Sequence, residues 1–293
     1  MRFKTLGTQQ PCRAVVWHPD IMVAMSDPAP RLYTDLAHLW PHLSPPEHYA
    51  EETETLRELI DDALGQPPAG QRWSVLELGA GGGHSTVHLK AHFDVTASDL
   101  SPQMLAHCNA LNPDVPTTEG DMRTMRLGKT FDVVLICDAI DYMTTRDDAV
   151  AALTTVAAHL RPGGVALIAP TYTAETFTDG DVAHDATAGM NPSAPGDEAI
   201  PGVTYFSFVH DPDPADTTFE MILLYLLRDH ETRQVQTIED RHTCGLFSIQ
   251  DWQDMAEEAG LDAEALAEEQ DPGGTGSAWA VIFRANLTGN HAA

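Results

Sequence analysis

The chain has 293 residues, and 43% of them are hydrophobic, which is enough for a sizeable core. It carries 44 acidic against 16 basic residues, a formal net charge of −28, and a surface this negative disfavours nucleic acid as a partner, because such binding depends on clustered Lys and Arg. The sequence contains neither a run of about 18 apolar residues nor an apolar stretch behind its first basic residues, so we predict no membrane span and no secretory signal.

The first 70 residues precede any regular alternation of strands and helices. Residues 1–28 show no clean period, and Met25 reads like a natural start, so we predict an N-terminal extension there. Residues 29–70 are predicted to form a helical lid, with helices over 31–40 and 48–64 and a proline- and glycine-containing linker at 66–70.

Residues 71–170 show strands that alternate with helices of about 10–15 residues, which predicts a parallel sheet built from right-handed crossovers. Helices are predicted over 83–92, from Ser101-Pro102 onward, and over 147–160. The predicted strands are Ser74–Ala80, Phe93–Leu100, Thr117–Arg123, Phe131–Ala139 and Val165–Pro170.

Beyond residue 170 the pattern changes. Residues 178–202 lack periodicity and predict a mobile loop. Residues 171–247 as a whole are predicted to form this loop and an antiparallel insertion, with strands Val203–Val209, Thr218–Arg228 and Arg233–Thr243. Residues 248–293 would complete the core with a helix over 248–260, a glycine-rich turn at 271–276 and a last strand, Ala278–Arg284. The predicted fold is α/β: a Rossmann-like, doubly wound, mostly parallel seven-stranded sheet with N-terminal helices and a small antiparallel insertion.

The most specific motif is Glu77-Leu78-Gly79-Ala80-Gly81-Gly82-Gly83 at the carboxyl end of the first predicted core strand. Ligands of open α/β sheets bind at this edge, and glycine lets the backbone approach them closely. Asp99 ends the next strand, 20 residues after Gly79. A dinucleotide-binding loop would need glycine in place of His84. A plain tight turn without a ligand is the alternative.

Residues 73–170, through this loop, Asp99 and Asp121, resemble the core of class I S-adenosylmethionine-dependent methyltransferases. The lead-in from Tyr33 to Tyr49 and the segment Arg241–Ser248 are similar to the small-molecule branch, which includes sugar N,N-dimethyltransferases and glycine-type N-methyltransferases. The resemblance implies methyl transfer to an amine or hydroxyl of a small metabolite by a monomer or homodimer. From the net charge and the lack of a long apolar run, we expect no nucleic-acid or membrane partner.

The resemblance also implies which residues bind S-adenosylmethionine. The backbone of Gly79, Ala80 and Gly81 would line its methionine end and ribose, and Glu77 would orient its amino group. Asp99 would accept from both ribose hydroxyls, while Leu100 or Met104 would pack on the adenine. The remaining expected contacts are Asp121 and Met122 at the adenine, Asp138 beside the methyl group, and Tyr33 at the cofactor carboxylate or the substrate. For Asp99 and Asp121 the alternative is a cap or turn role, and for Tyr33 a packing role.

Catalysis of methyl transfer depends mainly on positioning, because the sulfonium is already activated. A base matters only if the acceptor must lose a proton before attack. We expect His242 in that role first, with Tyr142 and Asp138 as further candidates, against alternatives of an exposed histidine and a packing tyrosine. Two other functions stay open: a cyclisation or other reaction that keeps the cofactor, and a non-enzymatic scaffold.

The four cysteines, Cys12, Cys108, Cys137 and Cys244, are widely spaced and form no CxxC pair. This spacing suggests neither a zinc site nor a disulfide framework. We therefore predict no metal site and expect a reducing, cytoplasmic location.

Overall fold

The computed structural model describes residues 30–187, 202–229, 231–267 and 281–288. Within these ranges the helices are α1 Trp40–Leu43, α2 Ala50–Leu64, α3 His84–Leu89, α4 Pro102–Leu111, α5 Arg146–His159 and α6 Ile249–Glu258. The strands are β1 Ser74–Leu78, β2 Asp94–Asp99, β3 Thr117–Glu119, β4 Phe131–Cys137, β5 Leu160–Ala169, β6 Val182–Thr187, β7 Gly202–His210, β8 Thr218–Arg228, β9 Val235–Gly245, β10 Leu261–Ala267 and β11 Val281–Leu287. In this described part of the chain, no helix is long and apolar enough to cross a membrane.

A seven-stranded sheet forms the centre of the fold, in the order β3-β2-β1-β4-β5-β11-β10. Neighbouring strands from β3 to β5 pair in parallel, and β11 pairs antiparallel with both β5 and β10. This arrangement confirms the predicted Rossmann-like, mostly parallel sheet. The continuous apolar run of β4 follows from its central place, because both faces of the strand are covered.

Alternate residues of the central strands enter two different hydrophobic clusters. Leu76 of β1 packs in the cluster formed with α5 and α6. Its neighbour Val75 packs in the cluster that includes Leu56 and Ile60 of α2. This two-residue period is what a strand buried on both faces produces. The helices therefore cover both faces of the sheet and leave the carboxyl ends of the strands for a site.

A second, antiparallel sheet has the order β6-β7-β8-β9. One of its faces packs on the N-terminal segment, where Leu36 and Leu39 contact a cluster containing Tyr225 of β8 and Ile238 of β9. Strand β6 lies within residues 178–202, so the prediction of a loop throughout that stretch was wrong. Its pairing with β7 over six residues supplies the order that the local sequence did not indicate.

Several predicted boundaries also differ from the structure. The helix expected over 31–40 is replaced by two three-residue 3-10 turns and the short α1, with the first turn ending at Thr34 in a non-helical conformation. Strand β10 was not predicted, because its sequence is rich in Ala and contains an Asp and a Glu, and only pairing with β11 makes it a strand. The predicted N-terminal extension and the turn at 271–276 lie outside the described residues.

Candidate functional site

The glycine loop joins β1 to α3 and is held against neighbouring strand ends. The amides of Gly79 and Ala80 both donate to the carbonyl oxygen of Ser98 at 2.9 Å. Gly79 has a φ of 77°, and a Cβ placed there would overlap the Cβ of Ala139, which follows β4. Only glycine combines this backbone conformation with so close an approach.

Asp99, at the end of β2, lies beside this loop as predicted from its place in the sequence. One carboxylate oxygen accepts from the Gly81 amide and the other from the Ser101 amide, each at 2.8 Å. Burial raises the pKa of Asp99 despite these bonds. A carboxylate offers about four acceptor positions, so Asp99 can still accept from two ligand hydroxyls. A Cβ built on Gly81 would have no neighbouring atom within 4 Å, so the loop borders free space at this residue.

Glu77 is 8% exposed and accepts a 2.6 Å hydrogen bond from the Thr86 hydroxyl. Burial raises the pKa of this carboxyl to about 7. This hydrogen bond links β1 to α3 next to the loop. Because the pKa is about 7, the charge of Glu77 changes with pH close to neutrality.

The predicted adenine contacts lie in different surroundings. Leu100 is 64% exposed, whereas Met104 is fully buried with Leu36 and Leu39 of the N-terminal segment. Of the two alternatives, Leu100 is therefore the one with a side chain available to a ligand. Met122 lies against the glycine loop, with its methyl carbon 3.3 Å from a Cβ built on Gly79.

The Asp121 carboxylate is hydrogen-bonded to Arg123, two residues further along the chain. Its carboxylate accepts from the Arg123 backbone amide at 2.9 Å and from the Arg123 guanidinium at 2.7 Å. The same guanidinium reaches Asp148 at 2.9 Å. These hydrogen bonds lower the pKa of Asp121. The side chain thus stabilises its own turn, and any ligand contact would share the carboxylate with Arg123.

Trp40, which the sequence did not suggest, lies over the loop together with His84. The indole of Trp40 stacks on the imidazole of His84, with ring centroids 5.9 Å apart. A Cβ at Gly82 would lie 2.9 Å from Trp40 Nε1 and 3.4 Å from His84 Nε2. Within the described residues, the buried Trp40 Nε1 and His84 Nδ1 have no hydrogen-bond partner. A buried polar atom without a partner is costly, so a ligand that bonded to these atoms at the loop would offset that cost.

Asp138 begins the turn after β4 in a strained conformation, with a φ of 48° that is uncommon outside glycine. Its amide donates to Ala169 at 2.9 Å, and its carboxylate accepts from the Thr171 hydroxyl at 3.4 Å. Burial and then the Asp138 charge raise the pKa of Glu52, on the N-terminal side, to about 7. Asp138 is exposed. Its charge acts on Glu52 of α2, which places it on the side of the site next to the N-terminal helices.

The predicted catalytic residues His242 and Tyr142 meet Tyr33 in one chain of hydrogen bonds. The Tyr142 hydroxyl donates to the Tyr33 hydroxyl at 2.8 Å and lies 2.8 Å from His242 Nδ1. His242 Nε2 lies 3.0 Å from Asp240. His242 is 1% exposed, so the alternative of a solvent-exposed histidine was wrong. Its ring lies beside both tyrosines, with centroids 5.7 Å from Tyr33 and 5.9 Å from Tyr142.

Asp240 was missed in the sequence, although a signal was present. Asp240 and His242 are two residues apart in an alternating strand, which places both on one face. Trp40 had no comparable signal, because its neighbours in sequence do not indicate that it packs on Gly82.

Residues 75–164 of this chain match a family model described as a methyltransferase domain. The chain is 30% identical over 230 residues to the dTDP-3-amino-3,6-dideoxy-alpha-D-glucopyranose N,N-dimethyltransferase of Streptomyces fradiae, covering 78% of this chain and 83% of that one. It is 36% identical over 139 residues to the dTDP-3-amino-3,4,6-trideoxy-alpha-D-glucopyranose N,N-dimethyltransferase of Streptomyces venezuelae, covering 47% of this chain and little more than half, 56%, of that relative.

Two solved structures share the architecture. The crystal structure of DesVI from Streptomyces venezuelae has a TM-score of 0.70 and 25% identity, covering 87% of this chain and 98% of that one. A sugar N-methyltransferase from Streptoalloteichus also has a TM-score of 0.70, with 24% identity over 94% of this chain and all of the other. The second likeness supports the fold alone.

Proposed function

Because this chain belongs to the class I S-adenosylmethionine-dependent methyltransferases, we propose that it transfers the cofactor's methyl group to the amino nitrogen of a small, sugar-like metabolite. The observation that carries the choice of an amine is the alignment over 83% of a relative named as an amino-sugar N,N-dimethyltransferase. An acidic site supports it, since the Asp138 charge acts on Glu52 in this region, where a cationic amine would be attracted.

The residues at the glycine loop fit S-adenosylmethionine. Gly81 opens onto free space beside Asp99, whose remaining acceptor positions suit vicinal ribose hydroxyls. The Trp40 N–H and the His84 Nδ1, both buried without partners among the described residues, suit the charged methionine end. When bound, the cofactor supplies a methyl group already activated by its sulfonium. We propose that Glu77 supports this end through the loop, and that Leu100 and Met122 flank the adenine.

The chain's own contribution to the reaction is to bind, orient and exclude water. We propose that Asp138 attracts the ammonium form of the acceptor and, because it is exposed, passes the released proton to solvent. Tyr142 and Tyr33 would orient the bound molecules with their hydroxyls. His242 would act through Tyr142, whose hydroxyl lies 2.8 Å from His242 Nδ1.

The N-terminal segment covers this region by packing on the second sheet. Leu36 and Leu39 are buried against β7, β8 and β9 residues such as Val203 and Ile238. A segment held in this way can shield the transferring methyl group from water, which strengthens electrostatic interactions inside the site.

The test is mass spectrometry of products formed with S-adenosylmethionine and a matched pair of nucleotide sugars, one with an amino group and one with a hydroxyl at the same position. We expect a gain of one or two methylene units on the amine alone. The Asp99→Ala variant serves as a control for cofactor dependence. Cofactor binding without any mass gain would overturn methyl transfer to these amines and leave the cofactor site standing.

A further inference from the structure

The hydroxyl group of Tyr225 is buried without a hydrogen-bond partner. Tyr225 lies on β8 and is 1% exposed. Among the residues that the structure describes, none forms a hydrogen bond with its hydroxyl oxygen. Burial raises the pKa of Tyr225 above its ordinary value, so the hydroxyl keeps its proton and can donate as well as accept. An unpaired buried hydroxyl is costly, and a ligand oxygen that bonded to it would offset that cost.

Tyr225 lies on the face of the second sheet that the N-terminal segment covers. It belongs to the hydrophobic cluster that contains Leu36 and Leu39 of that segment, and Tyr33 packs against the same cluster. The residue opposite Tyr225 on β7 is Tyr205, so the two tyrosines occupy neighbouring positions on one face of the sheet. The unpaired hydroxyl therefore lies in the layer between the second sheet and the N-terminal segment.

Electrostatic interactions connect Tyr225 with the acidic part of the site. Tyr225 interacts with both Tyr33 and Tyr205. Tyr33 interacts in turn with Asp138, and Tyr205 interacts with Tyr49, on which Asp138 also acts. Both routes end at Asp138, the acid that we propose attracts the acceptor's amine. Tyr225 is therefore on the acceptor's side of the site.

The cofactor loop has a different unpaired group. Trp40 Nε1 is also buried without a partner in the described part of the chain, and its indole lies on Gly82 of the loop. Tyr225 belongs instead to the second sheet, which is joined to the core after β5. The two unpaired groups thus lie on different sides of the site, which suits one for the cofactor and the other for the acceptor.

The group that suits Tyr225 is a neutral oxygen. After burial, Asp240 exerts the largest electrostatic effect on Tyr225. The Asp240 carboxylate already accepts from the amides of Arg31 and Leu32, at 3.0 and 2.8 Å, and lies 3.0 Å from His242 Nε2. Because these partners occupy the carboxylate, it offers little to a ligand ammonium group. A ligand hydroxyl, by contrast, can accept from the phenol or donate to it.

We propose that Tyr225 is a specificity-determining residue whose hydroxyl forms a hydrogen bond with a ring hydroxyl of the acceptor beneath the N-terminal segment. This inference rests on the proposed function, and it narrows the acceptor to a molecule with a hydroxyl group near its amine. An acceptor without that hydroxyl leaves the phenol unpaired after binding, so it binds more weakly. Because the N-terminal segment covers Tyr225, the segment has to move aside for the acceptor to enter.

The test is calorimetric titration of the S-adenosylhomocysteine complexes of the wild-type protein and Tyr225→Phe. The probes are a nucleotide amino sugar with hydroxyls on both carbons next to the amino-bearing carbon, and the two counterparts that each lack one of these hydroxyls. We expect Tyr225→Phe to raise the Kd of the parent sugar about tenfold, but to change the Kd of one counterpart less than about twofold. Equal affinity of both proteins for the parent sugar overturns the proposal, and so does a loss of the same size for all the sugars.

Stability of the free protein supplies a second readout. Removal of an unpaired hydroxyl should leave the unfolding midpoint of Tyr225→Phe unchanged or higher. A lower midpoint means that the hydroxyl is paired inside the free protein, which contradicts the proposal. Trp252→Phe is the matched control, because it removes another buried N–H that has no partner among the described residues but lies in the core. It should change the affinity for each sugar less than about twofold.

Mass spectrometry of the same mixtures with S-adenosylmethionine separates this inference from the proposed function. Methylation of the parent sugar, with equal affinities in the wild-type protein and Tyr225→Phe, supports the proposed function and overturns the role of Tyr225. Binding that depends on the Tyr225 hydroxyl, without a gain in mass, overturns methyl transfer to these amines and supports the role of Tyr225. If the wild-type complex binds none of the sugars, both proposals fail.

Discussion

Replacing Trp40 with phenylalanine separates ligand binding from folding. The substitution keeps an aromatic ring between His84 and Gly82 and removes one atom of interest, the indole Nε1 with its proton. That atom is buried without a hydrogen-bond partner in the described structure. If its partner is the methionine carboxylate of S-adenosylmethionine, Trp40→Phe should weaken cofactor binding while leaving stability nearly unchanged.

The expected changes in stability and in affinity follow from the state of this N–H group without and with bound ligand. Without ligand, the unpaired donor costs about 1–3 kcal/mol, and the smaller ring of phenylalanine forgoes packing worth about 1–2 kcal/mol. The two effects have opposite signs, so the free energy of unfolding should change by about 2 kcal/mol at most. With ligand, a hydrogen bond to a charged group worth roughly 1.5–3 kcal/mol is lost, so the Kd should rise roughly 10- to 150-fold.

The assay is calorimetric titration with S-adenosylhomocysteine, accompanied by urea unfolding of the free protein. Trp252→Phe is the matched control, because Trp252 Nε1 is also buried without a partner among the described residues but lies in the core beside Phe247 and Phe283. That variant should change affinity less than about twofold. A Kd for Trp40→Phe equal to that of the wild-type protein would refute the assignment of this indole to the cofactor.

Three further substitutions test the loop and its supports. Asp99→Ala removes the acceptor beside Gly81 and should weaken S-adenosylhomocysteine binding by about tenfold or more; unchanged affinity in a titration would count against Asp99 as the ribose ligand. Glu77 has a folded-state pKa of about 7, above its ordinary 4.5, so the wild-type protein should lose stability as pH rises through that window. Relative to Glu77→Gln this loss is up to roughly 3 kcal/mol, and equal pH slopes in urea unfolding would contradict it. Gly79→Ala forces a side chain onto Ala139 at a φ of 77° and should cost about 2–4 kcal/mol; an unaltered unfolding midpoint would mean that the loop does not pass so close.

Local patterns in the sequence were sufficient for the parallel strands of the central sheet and for the glycine loop. The apolar residues of β4 and of β1 reflect burial on both faces, which each strand carries in its own residues. Gly79 and Asp99 could be placed at strand ends because each directly follows an apolar run. Parallel strands in turn bring their carboxyl ends to one edge.

The tertiary structure alone set the other features of the site. The pairing of β10 with β11, the burial of Met104 and the position of Trp40 on Gly82 depend on residues far apart in the chain. Asp240 shows the difference most directly: its two-residue spacing from His242 predicts a shared face, but its bond to Leu32 spans 208 residues. Sequence periodicity reports which side of a strand or helix a residue lies on. Which distant group meets that side is decided by packing, because the same apolar or polar face can be satisfied by many partners.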